Sequence, residues 1–176
     1  EEAFKMHEKC KYPSFYFNWK EHKKSLAKDT TPFTPAVSLI TSLHTSLKMI
    51  KEEGIENVNK RHKKLSLALR AAIKTIGLKL FVEDDNNASY AITSILPPEG
   101  ITVPDIRKTL KDDYDIIVAN GQGSLENKIF RMGTLGFVCE RDLIMAVGAL
   151  EASLIKLGYK FEIGSGVKKL IEELNK

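Results

Sequence analysis

Cysteine is scarce in this chain. Cys10 and Cys139 are its only two in 176 residues, far apart and without histidines at metal-type spacing, so there is neither a disulfide framework nor a zinc motif. They read as ordinary thiols in a reducing compartment. Arginine is scarce as well: five of the 27 basic residues, at positions 61, 70, 107, 131 and 141. No compact block of arginines is interleaved with stacking aromatics, which argues against nucleic acid as a partner. No apolar run reaches the roughly 18 residues a membrane span needs, and no leader pattern opens the chain. These absences imply a cytoplasmic protein without a membrane partner. His7, His22, His44 and His62 fall in helical or charged contexts and form no zinc pattern, so no metal is expected. Neither a dinucleotide fingerprint nor a Ser/His/Asp or Cys/His signature is present, and there are no internal repeats.

What is there suffices for a core. At 43% hydrophobic residues, the length fits one domain, or one with a short appendage. A net charge of +4 from 27 basic and 23 acidic residues interspersed along helical segments describes a solvated surface. Residues 1–28 mix lysines with Tyr12, Phe15, Tyr16, Phe17 and Trp19, aromatics expected to pack on a neighbouring element. Glu1 begins in what reads as the middle of a charged helix without an initiator Met, as expected of a piece of something larger. After Thr31, Pro32, Phe33, Thr34 and Pro35, the three- and four-residue spacing of Ala36, Leu39, Ile40, Leu43, Leu47 and Ile50 predicts a helix stopped by Gly54. Ile55 to Ile76 predicts a second, stopped by Gly77.

The pattern then changes. Leu78 to Val82 and Ser89 to Leu96 read as antiparallel strands around a solvated polar turn holding Asp84 and Asp85. Thr102 with Asp105 predicts a capped helix ending near Lys111. Asp115 to Ala119 and Lys128 to Met132 read as strands, with Gly121, Gln122 and Gly123 forming a tight hairpin. Glu140 to Leu157 predicts a helix before Gly158, and Ser165 caps a last helix to Leu174. Long helices followed by strands mixed with helices give an α+β two-layer sandwich, a small mostly antiparallel sheet with helices on one face.

Two anion-binding features stand out. Arg131 sits between Phe130 and Met132, while the other four arginines lie in polar surroundings. A guanidinium cannot escape burial by losing its proton, so it needs an anion, either an internal carboxylate or a ligand. Thr34 precedes a helix start, where orphan amides and the helix dipole favour a phosphate; an ordinary threonine N-cap is the alternative.

The run from Thr31 to Leu39, and Phe130, Arg131, Met132, Gly133, Thr134, Leu135 and Gly136, resemble the C-terminal part of class V aminotransferases. These are the fold-type I pyridoxal 5'-phosphate enzymes such as alanine:glyoxylate and serine:pyruvate aminotransferases. Tyr12, Pro13, Ser14, Phe15 and Tyr16 are similar to the stretch after that family's cofactor lysine, and Gly54, Ile55, Glu56 and Asn57 to its interdomain helix. The resemblance implies that Arg131 grips the α-carboxylate of a small amino acid or 2-oxo acid. It implies that Thr34, and Thr31 where some members carry a tyrosine, reach the cofactor phosphate of a homodimer partner. It also implies that residues 1–28 connect from an N-terminal large domain and that 29–176 form the small domain. The Schiff-base lysine, the ring-stacking aromatic and the acid at the pyridinium nitrogen would lie in that large domain, leaving this chain inactive alone. A non-catalytic α+β assembly module that keeps the scaffold is the other expectation.

Overall fold

A computed structural model describes residues 1–11 and 14–176. Tyr12 and Pro13, part of the aromatic segment noted above, lie outside the described residues. The chain divides into two compact units, residues 1–52 and 53–176.

In the first unit, α1 (Glu2–Lys9) and α2 (Trp19–Leu26) precede α3 (Val37–Glu53). The aromatics pair with one another. Trp19 meets Phe4 edge-on at 5.3 Å and stacks on His7, while Tyr16 stacks on Phe33 at 4.8 Å. They remain largely open to solvent, Phe15 at 84% and Phe17 at 74%. Helix α3 ends, as its spacing predicts, at Gly54 with a left-handed φ of 84°. None of its residues is buried, and its apolar stripe of Leu39, Ile40, Leu43 and Leu47 stands exposed.

The second unit holds the core. Its elements are α4 (Ile55–Thr75), β1 (Ile92–Ile95), α5 (Val103–Tyr114), β2 (Ala119–Asn120), β3 (Phe130–Gly133), α6 (Glu140–Lys156) and α7 (Ser165–Leu174). The sheet is antiparallel with order β1-β3-β2, Ser94 opposite Arg131 and Asn120 opposite Phe130. Alternation puts Thr93, Ile95, Phe130 and Met132 on a buried face, and Ile92, Ser94, Ala119, Arg131 and Gly133 on a face that is open or half-open. Leu65, Leu69 and Ile73 of α4, Ile106 and Leu110 of α5, Leu150 and Leu154 of α6 and Leu170 of α7 close over the buried side. Each such side chain contributes about 1.5–3 kcal/mol by leaving water. The two-layer α+β sandwich is thus the observed architecture.

Four local expectations are revised. The strand expected at Leu78–Val82 is a single antiparallel bridge, Leu80 to Ile95, flanked by Phe81 N–H to the Ser94 carbonyl and Leu96 N–H to the Lys79 carbonyl; the chain then turns into a short 3-10 turn capped by Asp84. The strand expected from Asp115 shrinks to two residues because helix α5 claims its start. Asp115 takes the left-handed C-cap, φ 55°, and Ile116 N–H reaches back to the Leu110 carbonyl. The hairpin at Gly121 is a longer loop containing a 3-10 turn at Gly123–Leu125. Ser165 does not cap α7: it is the helix's first residue, and the cap comes from α6, where buried Glu151 accepts from the amides of Gly164 at 2.8 Å, Gly166 at 2.7 Å and Val167 at 3.4 Å.

Candidate functional site

Arg131 lies on the central strand, half-buried on the sheet face away from the helices of the second unit. Its Nε–H donates to the Asn120 carbonyl at 2.8 Å. Among the described residues no carboxylate comes within ion-pair range of it, whereas Arg61 pairs with Glu53 at 2.6 Å and Arg70 with Asp85 at 2.7 Å. Of the two partners left open by the sequence, no internal acid is in place among the described residues. One edge of the guanidinium is anchored, and its Nη donors make no hydrogen bond among the described residues. That geometry suits a planar carboxylate. Arg107 also spends its Nε–H on a carbonyl, that of Val118 at 3.0 Å, from helix α5.

The arginine that burial does trap is Arg70. It is 2% exposed within the apolar run Ala68, Leu69, Ala71, Ala72, Ile73 of helix α4. Its Nη2 donates to the Val82 carbonyl at 2.7 Å, and Asp85 accepts from its Nε and from Lys74 Nζ. Asp85 therefore does not sit free in a solvated turn. Burial alone would raise its pKa, but the hydrogen bonds from Lys74 and Arg70 outweigh that and hold it below the ordinary carboxylate range.

After β3 the chain is gripped from α4 by adjacent residues. His62 Nδ1 bonds the Val58 carbonyl at 2.7 Å, which leaves Nε2 to accept the Gly136 N–H at 3.0 Å. Arg61 Nη1 donates to the carbonyls of Gly136 and Val138, each at 3.1 Å. Its salt bridge to Glu53 holds that carboxyl below the usual range, chiefly through the Arg61 hydrogen bond. Thr134 adds a third tie, its hydroxyl donating to the Tyr90 carbonyl at 2.7 Å. Neither the Arg61 and His62 pair nor Arg70 was singled out from sequence. Arg70 was findable, since helical spacing puts it beside Leu69 and Ile73, whereas the Gly136 grip joins residues 74 apart and leaves no local signature.

Thr31 and Thr34 belong to the first unit. The Thr31 hydroxyl donates to the Phe33 carbonyl at 2.7 Å, and the residue lines an apolar cavity of 770 Å³ with Phe4, Phe17, Trp19 and Leu26. Thr34 is exposed and stands three residues before α3 begins at Val37. It is not the N-cap, and among the described residues its hydroxyl makes no hydrogen bond. That leaves it available beside the amides of the first turn of α3.

Residues 19–139 match the family model described as aminotransferase class-V. A serine–glyoxylate aminotransferase of Methylorubrum extorquens is 36% identical over 152 residues, 86% of this chain and 38% of that protein. A protein of Anabaena cylindrica named soluble hydrogenase 42 kDa subunit is 43% identical over 166 residues, 94% of this chain and 43% of that one. Among solved structures, the ureidoglycine-glyoxylate aminotransferase of Bacillus subtilis superposes with a TM-score of 0.85 at 27% identity, covering 93% of this chain and 42% of that chain. The chain spans less than half the length of these relatives.

Proposed function

Because the chain belongs to the class-V aminotransferase family, we propose that it is the C-terminal part of a transaminase moving an amino group between a small amino acid and a 2-oxo acid such as glyoxylate or pyruvate. In this reading residues 29–176 are the small domain, residues 1–28 lead in from the N-terminal large domain, and the enzyme works as a cytoplasmic homodimer. The single observation that carries it is Arg131: a guanidinium anchored through Nε, with its remaining donors unbonded and no carboxylate paired with it among the described residues.

Arg131 binds the substrate's α-carboxylate through two parallel N–H···O bonds. That fixes the rotation of the substrate about its Cα, the alignment on which breaking the Cα–H bond depends. The residues present also fit one end of pyridoxal phosphate: the free Thr34 hydroxyl and the helix start behind it suit the phosphate, while Thr31 offers a hydroxyl of shorter reach than the family's tyrosine, already bonded to Phe33. When bound, the cofactor supplies an electron sink for the pair left by the Cα–H bond. The family's imine-forming lysine is expected in the large domain, so this chain alone should not transaminate.

In the full-length enzyme, Arg131→Ala should keep the cofactor's visible absorbance and lower kcat/KM for the amino acid by the equivalent of about 2–5 kcal/mol. Unchanged turnover would reduce Arg131 to a structural role. The exposed stripe of α3 favours a second reading, an assembly module without catalysis. The full-length protein decides: absence of both cofactor uptake and turnover would leave that reading standing.

A further inference from the structure

The carbonyl that receives the Arg131 Nε–H is held in place by its own residue's side chain. Asn120 Oδ1 accepts from the Gly121 amide at 2.8 Å and from the Asn127 amide at 3.0 Å, while Nδ2 donates to Asn127 Oδ1 at 2.8 Å. The side chain thus ties together the two ends of the loop between β2 and β3. Within that loop there is little slack. A Cβ on Gly121 would lie 1.9 Å from the Leu125 carbonyl oxygen, the Gly121 amide also reaches the Ile129 carbonyl at 2.9 Å, and Asn127 holds a left-handed φ of 56°. Strand β2, by contrast, offers only Ala119 and Asn120 to the ladder. Two residues of pairing fix a carbonyl's direction poorly, and Asn120 is the last of them.

We propose that Asn120 is a positioning residue for the carboxylate site: its side chain closes the loop, and its backbone carbonyl thereby sets the aim of the Arg131 guanidinium. The inference rests on the carboxylate reading of Arg131 given above. A long, flexible side chain anchored at Nε keeps its plane fixed, so part of the ordering that carboxylate binding requires is already in place before the ligand arrives. The residue acts through Arg131 and touches no substrate itself.

The test uses the full-length protein, isotopically labelled, with two readouts: water exchange of the Arg131 Nε–H, and titration with pyruvate. Asn120→Gly should speed the exchange and raise the apparent pyruvate dissociation constant, each about tenfold, the factor equivalent to ~1.4 kcal/mol, close to one ordinary hydrogen bond. Asn120→Asp keeps an oxygen for both amides but gives up the Nδ2 bond to Asn127 Oδ1, so its Nε–H exchange should fall between those of the unaltered protein and Asn120→Gly. Asn127→Gly, which keeps the amide and tolerates the left-handed backbone, should give an intermediate loss and covers the case in which Asn120→Gly fails to fold. In an Arg131→Ala background, adding Asn120→Gly should change pyruvate binding no further. Unchanged Nε–H exchange in Asn120→Gly, or an equal loss of binding in that background, overturns the proposal. If the unaltered full-length protein binds no pyruvate, the carboxylate reading falls, and the exchange readout by itself still decides whether Asn120 restrains the guanidinium.

Discussion

At the scale of the residue, two arginines divide the physics between them. The rule that an enclosed guanidinium needs an anion is right, but the residue it describes best is Arg70, whose counter-ion Asp85 lies 15 positions on. Arg131 stands out in the sequence because its immediate neighbours are apolar. On a strand, however, those neighbours face the opposite side, which is why Phe130 and Met132 are buried and Arg131 is only half so. Arg70→Ala should cost about 2–4 kcal/mol in chemical denaturation, since it empties packed space and strands the Val82 carbonyl. Asp85 adds a pH signature. Its folded pKa is depressed, so its contribution is complete above the unfolded carboxylate value near 4 and is lost as pH falls through the lower folded value. Thermal melts from about pH 5 down to about pH 2 should show a steeper fall for the unaltered protein than for Asp85→Asn.

At the scale of the element, helices were the legible part. Periodicity and glycine stops locate α3, α4 and α6 to within about two residues, the usual ambiguity of helix ends. Strands were less legible because their ends are decided by neighbours: Asp115 and Ile116 complete the C-cap of α5, and Leu80 keeps a single bridge. The cap of α7 shows the same limit. Ser165 has the right chemistry in the right place, yet Glu151 from another helix takes the orphan amides, a choice no local window contains. Glu151→Ala should therefore cost about 1–3 kcal/mol and release the Gly166 and Val167 amides to hydrogen exchange before the rest of the core. Ser165→Ala, by the same logic, should leave those amides protected.

At the scale of the whole molecule, the layer arrangement follows from the order of periodicities, and the chain's family membership agrees with it. The apolar stripe of α3 was legible as a stripe but not as an exposed one, because spacing records amphipathicity and not what covers it. The sequence offered Arg131, Thr34 and Thr31 as candidate site residues. The support of Arg131, the Asn120 carbonyl and the loop behind it, was not legible, since a backbone oxygen has no letter in a sequence. Within residues 53–176 the helices pack on one side of the sheet, and Arg131 stands on the other. Two unit charges about 4 Å apart attract by about 1 kcal/mol in water but by about 4 kcal/mol where the effective dielectric constant is about 20. If Arg131 holds a carboxylate as proposed, it should do so feebly and with strong salt dependence while water bathes that face, and tightly under a roof. Pyruvate affinity of this chain by itself should drop markedly as ionic strength rises from about 0.01 to about 0.15 M, where the screening length shortens from about 30 Å to about 8 Å. Cover for the sheet would add to whatever the aim of Arg131 already supplies.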